Sequence, residues 1–288
     1  MKKKTDCNLK RLIQALSVIL VICIIFTIIP HPTASADDYG INEQFLAPII
    51  PIETLADFGD YIEINDRAGL EAISSNLGGK YYLSADIDLS DGDWSPIGVS
   101  SPFTGVFDGQ GHCIHYMTIT GEIVGGSQLY SGIFARIQNG VVRNTGLEEA
   151  AIDVYVTTAT ITYTGGVCGS AVSSEIINCY CSGLLSSSTT PDSYNGGICG
   201  YAHYSMCSYC YNTATIQSNS NDSASYAAGV CGILIGDSET GMVNACYNSG
   251  SIISSSANND SFVGGICGSL SSEACVSYSF NTGASIKV

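Results

Sequence analysis

A five-residue block, Gly-Gly-x-Cys-Gly, returns every 31 to 36 residues through the second half of this chain. It reads GGVCG from Gly165, GGICG from Gly196, AGVCG from Ala228 and GGICG from Gly264, with a degenerate SGIFA from Ser131. A single globular core has no use for such regularity, whereas a stack of similar supersecondary units requires it.

Two further patterns keep step with the first. CYCSG from Cys179, CYNTA from Cys210, CYNSG from Cys246 and SFNTG from Ser279 are followed by apolar Leu185, Ile216, Ile252 and Ile286. An aromatic stands three residues before the second glycine, at Tyr163, Tyr194, Tyr226 and Phe262. Between copies lie SSSTTPDS and SSSANNDS, which read as surface loops because insertions between units cost little.

In a parallel β-solenoid each unit is one turn of a coil, and equivalent residues lie about 4.8 Å above one another. Like side chains then form ladders. One inward ladder is expected from Phe134, Cys168, Cys199, Cys231 and Cys267, and a second from Cys179, Cys210 and Cys246. An aromatic ladder is expected from Tyr180, Tyr211, Tyr247 and Phe280, facing either interior or solvent. The glycine pairs suit corners where φ is positive. Propeller blades need about 40 or more residues in four antiparallel strands, and leucine-rich repeats need a leucine lattice; neither pattern is present.

Upstream, NDRAGLEAISSNLGG predicts a short helix, with Asp66 near its start, Leu70 and Ile73 one turn apart, and Gly78-Gly79 as its stop. Such a helix would close the open end of the coil. KYYLSADIDL alternates Leu83, Ala85, Ile87 and Leu89 against Tyr82, Ser84, Asp86 and Asp88, a half-buried strand. FTGVFDGQGHCIHYMTIT reads as strand, Asp-Gly turn, strand. These blocks, then SGIFARIQNGVVRNTGLEEAAI and the cysteine-containing units, together resemble the GLUG-motif repeat proteins over roughly residues 60–288. The resemblance implies an all-β, right-handed parallel β-helix on the outside of a bacterial cell. It also implies company with adhesin-like regions or with the non-catalytic part of immunoglobulin-cleaving surface metallopeptidases. It brings no catalytic residues with it.

The chain is accordingly expected to divide into a signal peptide (1–36), an extended acidic lead (37–60), a cap helix with first rungs (61–130) and GLUG-like rungs of the same β-helix (131–288). The signal has a basic start, an apolar run from Leu12 to Pro30, and Ala34-Ser35-Ala36, which favours cleavage after Ala36 over retention as an anchor. Five of the 10 Lys+Arg lie in that segment against one of the 26 Asp+Glu, so residues 37–288 carry a net charge of −20. Nucleic acid and anionic membrane are therefore repelled.

Motifs for chemistry are few. None of His31, His112, His115 and His203 falls in the His-Glu-x-x-His of a zinc peptidase. HCIH at 112–115 offers His112, Cys113 and His115 to a metal, but a strand sends alternate residues to opposite faces, so the segment reads as structural. DIDLSDGDW sets Asp86, Asp88, Asp91 and Asp93 close together without EF-hand spacing, an Asp-rich turn. Eleven cysteines follow residue 36, an odd number, and stacked neighbours sit slightly beyond disulfide range; mostly buried thiols are expected. Glu175, Glu239 and Glu273 fall near one another in phase, six to eight residues after their units' first cysteine; they read as a solvated turn, with a sugar-cleaving acidic groove as the alternative. The reading that follows is an exported, non-catalytic scaffold without cofactor, binding an extracellular glycan or protein surface and self-associating through its last rung. The alternative is a polysaccharide lyase or glycoside hydrolase on a β-helix.

Overall fold

The computed structural model describes residues 58–122, 128–156, 161–237 and 240–287; the expected signal peptide, most of the acidic lead and Glu239 lie outside them. Residues from Gly59 onward form one compact unit.

Residues 161–189 show the plan of a rung. Strand Ile161–Gly165 turns at Gly166 into Cys168–Val172, a bend at Ser173-Ser174 leads to Glu175–Ile177, and Asn178-Cys179 leads into the long strand Tyr180–Thr189. The next rung begins at Ser193. Each strand pairs in parallel with its counterparts above and below, which yields sheets of five, five, eight and eleven strands. The chain is thus a parallel β-solenoid of about five turns. Shorter turns precede these, in which Ile97 and Phe103 make only isolated bridges to Phe134 and Ile137.

Register places the first expected ladder in one file: Phe134 on Cys168, then Cys199, Cys231 and Cys267. The first four are fully buried and Cys267 half-buried. Cys179, Cys210 and Cys246 form the second buried file, with the Cys210 N–H on Cys246 Sγ at 3.4 Å. Tyr180, Tyr211, Tyr247 and Phe280 are also in register on the outer side of their sheet, where Tyr180 is buried, Tyr211 and Tyr247 are half-buried and Phe280 is exposed.

The inward neighbours of that aromatic file are Cys181, Asn212, Asn248 and Asn281. The asparagines form a hydrogen-bonded ladder. Asn212 Nδ2 donates to Asn248 Oδ1 at 2.8 Å and Asn248 Nδ2 to Asn281 Oδ1 at 2.6 Å. Each also bridges the backbone two residues on, as Asn248 does with the Gly250 carbonyl at 3.0 Å and N–H at 3.2 Å.

Several expectations need correction. The paired glycines after Gly132 do not hold positive φ; two other corner files do, Asn139, Ser173, Tyr204 and Ser272 in one and Asn144, Asn178, Tyr209, Ala245 and Tyr278 in the other. The second glycine of each pair is there for room. A Cβ at Gly166, Gly197, Gly229 or Gly265 would overlap Cys181, Asn212, Asn248 or Asn281 respectively, at 2.6 Å or less. The serine-rich stretches are also not mainly loops. Ser186, Ser187 and Thr189 belong to strand Tyr180–Thr189, and Ser254 belongs to strand Ile252–Ser256. Ser187, Ser193, Ser218, Ser225 and Ser254 are fully buried. They pass hydrogen bonds hydroxyl to hydroxyl along the coil, 2.7 Å for Ser187 to Ser193, 2.8 Å for Ser218 to Ser193, 3.0 Å for Ser225 to Ser218 and 2.8 Å for Ser254 to Ser225. Polar groups buried in this way cost little because they satisfy one another.

The first rung packs beneath a helix, Arg67–Ala72, continued by a 3-10 turn to Ser75, well short of Gly78. Asp66 caps it by accepting the Gly69 N–H at 2.8 Å. Leu70 and Ile73 are fully buried. The KYYL–DIDL segment breaks between Leu83 and Ile87, so Ala85 is only half-buried while Tyr81, Leu83, Ile87 and Leu89 point inward.

Candidate functional site

One outer face of the coil is aromatic. Tyr130, Tyr163, Tyr194, Tyr226 and Phe262 occupy equivalent outward positions in the five-stranded sheet that starts each rung. Their rings stack in sequence, with centroids 5.2, 5.3, 4.8 and 4.7 Å apart and planes within 14°. The parallel register dictates this spacing, and each offset-stacked pair adds about 0.5–1.5 kcal/mol beyond its buried area. Burial pushes the Tyr163 hydroxyl up to about 12 and raises Tyr194 as well, with Asp192 adding to the latter. Both stay neutral phenols able to donate; Tyr194 donates to Asp192 at 3.0 Å.

Beside the stack, on the next sheet, Tyr201 meets Tyr163 edge to face at 5.4 Å, and the Arg136 guanidinium lies 5.5 Å over the Tyr130 ring. Arg136 is held by the carbonyls of Gly98 and Val99 at 3.4 and 2.6 Å. Tyr130, Tyr163, Tyr201, Arg136, Ser170 and Gln138 line a cleft of about 250 Å³. It offers ring edges and faces, phenol hydroxyls and one fixed positive charge. That combination suits recognition of a polar, ring-bearing or loop-shaped ligand by contact. The sequence shows this recurring aromatic, but its spacing alone does not place it at a site.

A second group gathers ligating atoms. Cys113 and His115 are two apart on strand Cys113–His115, so alternation puts them on the same side, with Ile114 in the core. This corrects the expectation that alternation scatters HCIH: Cys113 and His115 share one side, and His112, at the preceding turn, meets the same Asp86. Asp86 of the previous rung joins them, and oxygen, sulfur and nitrogen atoms of Asp86, Cys113 and His115 all lie within 4.8 Å of one another. Asp86 Oδ1 accepts the Cys113 N–H at 3.0 Å and faces His112 Nδ1 at 3.0 Å. Burial pushes the Asp86 carboxyl up, but those two partners outweigh it and hold it below the usual carboxylate range. His115 Nδ1 faces Glu148 Oε2 at 3.4 Å. Tyr180, lying across Gly146, donates to Glu148 Oε1 at 2.7 Å and reaches Cys113 Sγ at 3.0 Å.

The remaining candidates do not converge. The Asp-rich turn is filled from within the chain. Arg67 donates to Asp91 and to the carbonyls of Leu89, Gly92 and Asp93, the last at 2.7 Å. Glu175 is in register with Met206, Met242 and Cys275, whereas Glu273 lies two residues before Cys275. Those two glutamates therefore share no groove. Among the described residues all eleven cysteines are free, nine of them buried, and burial raises the thiols of Cys168, Cys181 and Cys207, Cys181 to about 12.

No protein-family model and no curated protein matches the chain. Among solved structures it is similar to a candidate immunoglobulin A1 protease from Bacteroides ovatus, with a TM-score of 0.56 and 22% identity over 77% of this chain and 67% of that one. The class this defines is that of the repeat β-helix proteins.

Proposed function

We propose that this chain is an exported, non-catalytic repeat scaffold, akin to the GLUG-motif proteins, that binds an extracellular glycan through its aromatic face. The observation that carries the proposal is the unbroken stack from Tyr130 to Phe262 beside the cleft of Tyr163, Tyr201 and Arg136. An extended ligand running along the coil axis meets the same aromatic edge at every rung, so weak contacts repeat. The negative charge of the chain favours a neutral or cationic glycan over an acidic one. The Bacteroides neighbour supports the β-helix. The sequence holds no His-Glu-x-x-His for zinc peptidase chemistry, and Glu175 and Glu273 do not pair as a glycosidase's carboxylates do.

The test is a binding screen of the chain lacking residues 1–36 against glycans and matrix proteins, with Tyr201→Ala and Tyr194→Ala alongside. Each substitution is expected to weaken the glycan interaction roughly tenfold, about 1.4 kcal/mol. Release of reducing or unsaturated ends from any glycan would instead establish the polysaccharide-active alternative. Binding to matrix protein alone would reassign the partner.

A further inference from the structure

We propose that Asp86, Cys113 and His115 bind a divalent transition-metal ion of zinc's kind, which clamps successive early rungs of the coil. This stands apart from the aromatic face and does not depend on what that face binds.

The argument begins with the donors. One carboxylate, one thiol and one imidazole, drawn from two adjacent rungs, bring their ligand atoms within 4.8 Å of one another. Ligands about 2.0–2.3 Å from a tetrahedral zinc sit roughly 3.3–3.8 Å apart, so modest side-chain rotation completes the geometry. Calcium and magnesium want oxygen throughout, whereas a mixed sulfur, nitrogen and oxygen set selects the zinc type.

The surroundings are those such a site needs. Metal-bound histidines usually give their other ring N–H to a carboxylate, and Glu148 stands at His115 Nδ1. Asp86 Oδ1 is fixed by the Cys113 N–H and faces His112, which orients the carboxyl. Tyr180 stands over Cys113 and Glu148 together, shielding the thiol from bulk solvent. Asp86, His115 and Glu148 remain partly exposed, at 29%, 24% and 18%, so an ion has a way in. The register sets His115 against Glu148 of the following rung and Asp88 of the preceding one. The ion and its supporting carboxylate thus tie three rungs where the coil's early turns have few full strands. On binding, the Cys113 thiol releases its proton to solvent and the thiolate takes a coordination position; nothing is oxidised or reduced.

Cobalt(II) titrated into the reduced, metal-stripped chain lacking residues 1–36 tests this. One equivalent is expected to produce the thiolate-to-cobalt charge-transfer band and the visible bands of a four-coordinate site, both displaced by zinc. Cys113→Ser should abolish the charge-transfer band, and His115→Gln should weaken cobalt binding at least tenfold. Cys275→Ser, which removes the exposed thiol elsewhere, should change neither. Zinc at about a hundredfold excess over its Kd should raise Tm by roughly 5–10 °C in the parent chain and not in His115→Gln. His115 is partly exposed, so His115→Gln is expected to keep the parent's far-ultraviolet spectrum and carries the test if Cys113→Ser does not fold. No charge-transfer band at one equivalent, or a band that survives in Cys113→Ser or binds as tightly in His115→Gln, overturns the proposal.

Discussion

Asn248 shows how much of this fold rests on single side chains. Its amide takes part in four hydrogen bonds, to Asn212, Asn281 and both backbone groups of Gly250, and it is fully buried. Asn248→Ala leaves the Gly250 N–H and one amide donor of Asn212 buried and unpaired, each orphan costing about 1–3 kcal/mol. The expected loss is roughly 2–5 kcal/mol, read as a lower denaturation midpoint in urea. Asn258→Ala, on the exposed turn, is expected to stay within about 0.5 kcal/mol of the parent. Equal effects from the two would show that the ladder contributes nothing. The sequence displays these asparagines in every late CYN or SFN block, beside a cysteine and an aromatic that recur just as strictly. What links them to the glycine pairs, the overlap a Cβ at Gly197 would make with Asn212, is a contact between residues of one rung that repeat spacing alone does not reveal.

At the scale of elements, the strands that open each rung are held by ring stacking outside as well as by the core inside. Tyr194 stacks on both Tyr163 and Tyr226. Tyr194→Ala therefore removes two stacked pairs and is expected to destabilise the coil by roughly 1–3 kcal/mol. Tyr194→Phe keeps both stacks and loses only the bond to Asp192, a cost of about 1 kcal/mol or less. Thermal unfolding of the two variants separates stacking from hydrogen bonding; equal losses would show that the stacks add nothing. Rung order and strand register were legible in the sequence, because Cys168, Cys199, Cys231 and Cys267 recur at the pitch of the coil. The serine-rich strands were not. Ser187 and Ser254 look like loop residues by composition, and only their partners on neighbouring strands make burial tolerable. The Cys113–His115 pairing was half legible. Spacing of two gives one face, but the arrival of Asp86 from the rung before and of Tyr180 from beyond depends on stacking order.

Across the whole molecule the interior changes character along its axis. Early rungs are filled by Trp94, Phe103, Phe107 and Phe134, whose rings meet at 4.8 Å for Phe103–Phe134 and 5.5 Å for Phe107–Phe134. Later rungs lack those rings and combine aliphatics such as Ile176, Leu185, Ile216, Leu234 and Ile252 with buried thiols, alanines and hydrogen-bonded amides and hydroxyls. A core of buried thiols has a pH dependence that an aliphatic core lacks. In the unfolded chain a cysteine ionises near its ordinary value of 9.0, while burial holds Cys181 protonated up to about 12 and raises Cys168 and Cys207 too. Between those limits the unfolded chain binds fewer protons than the folded one, so stability falls as pH rises. Below 9 both states keep the thiol proton and these groups leave stability unchanged. Each such thiol withdraws about 1.4 kcal/mol per pH unit once its unfolded counterpart is ionised. Several acting together should bring the urea midpoint down steeply above about pH 9 under reducing conditions, while substitution of Cys181 by Ala makes the decline shallower. A midpoint that stays level from about pH 8 to about pH 10 would mean that these sulfurs are not protonated thiols enclosed by the coil.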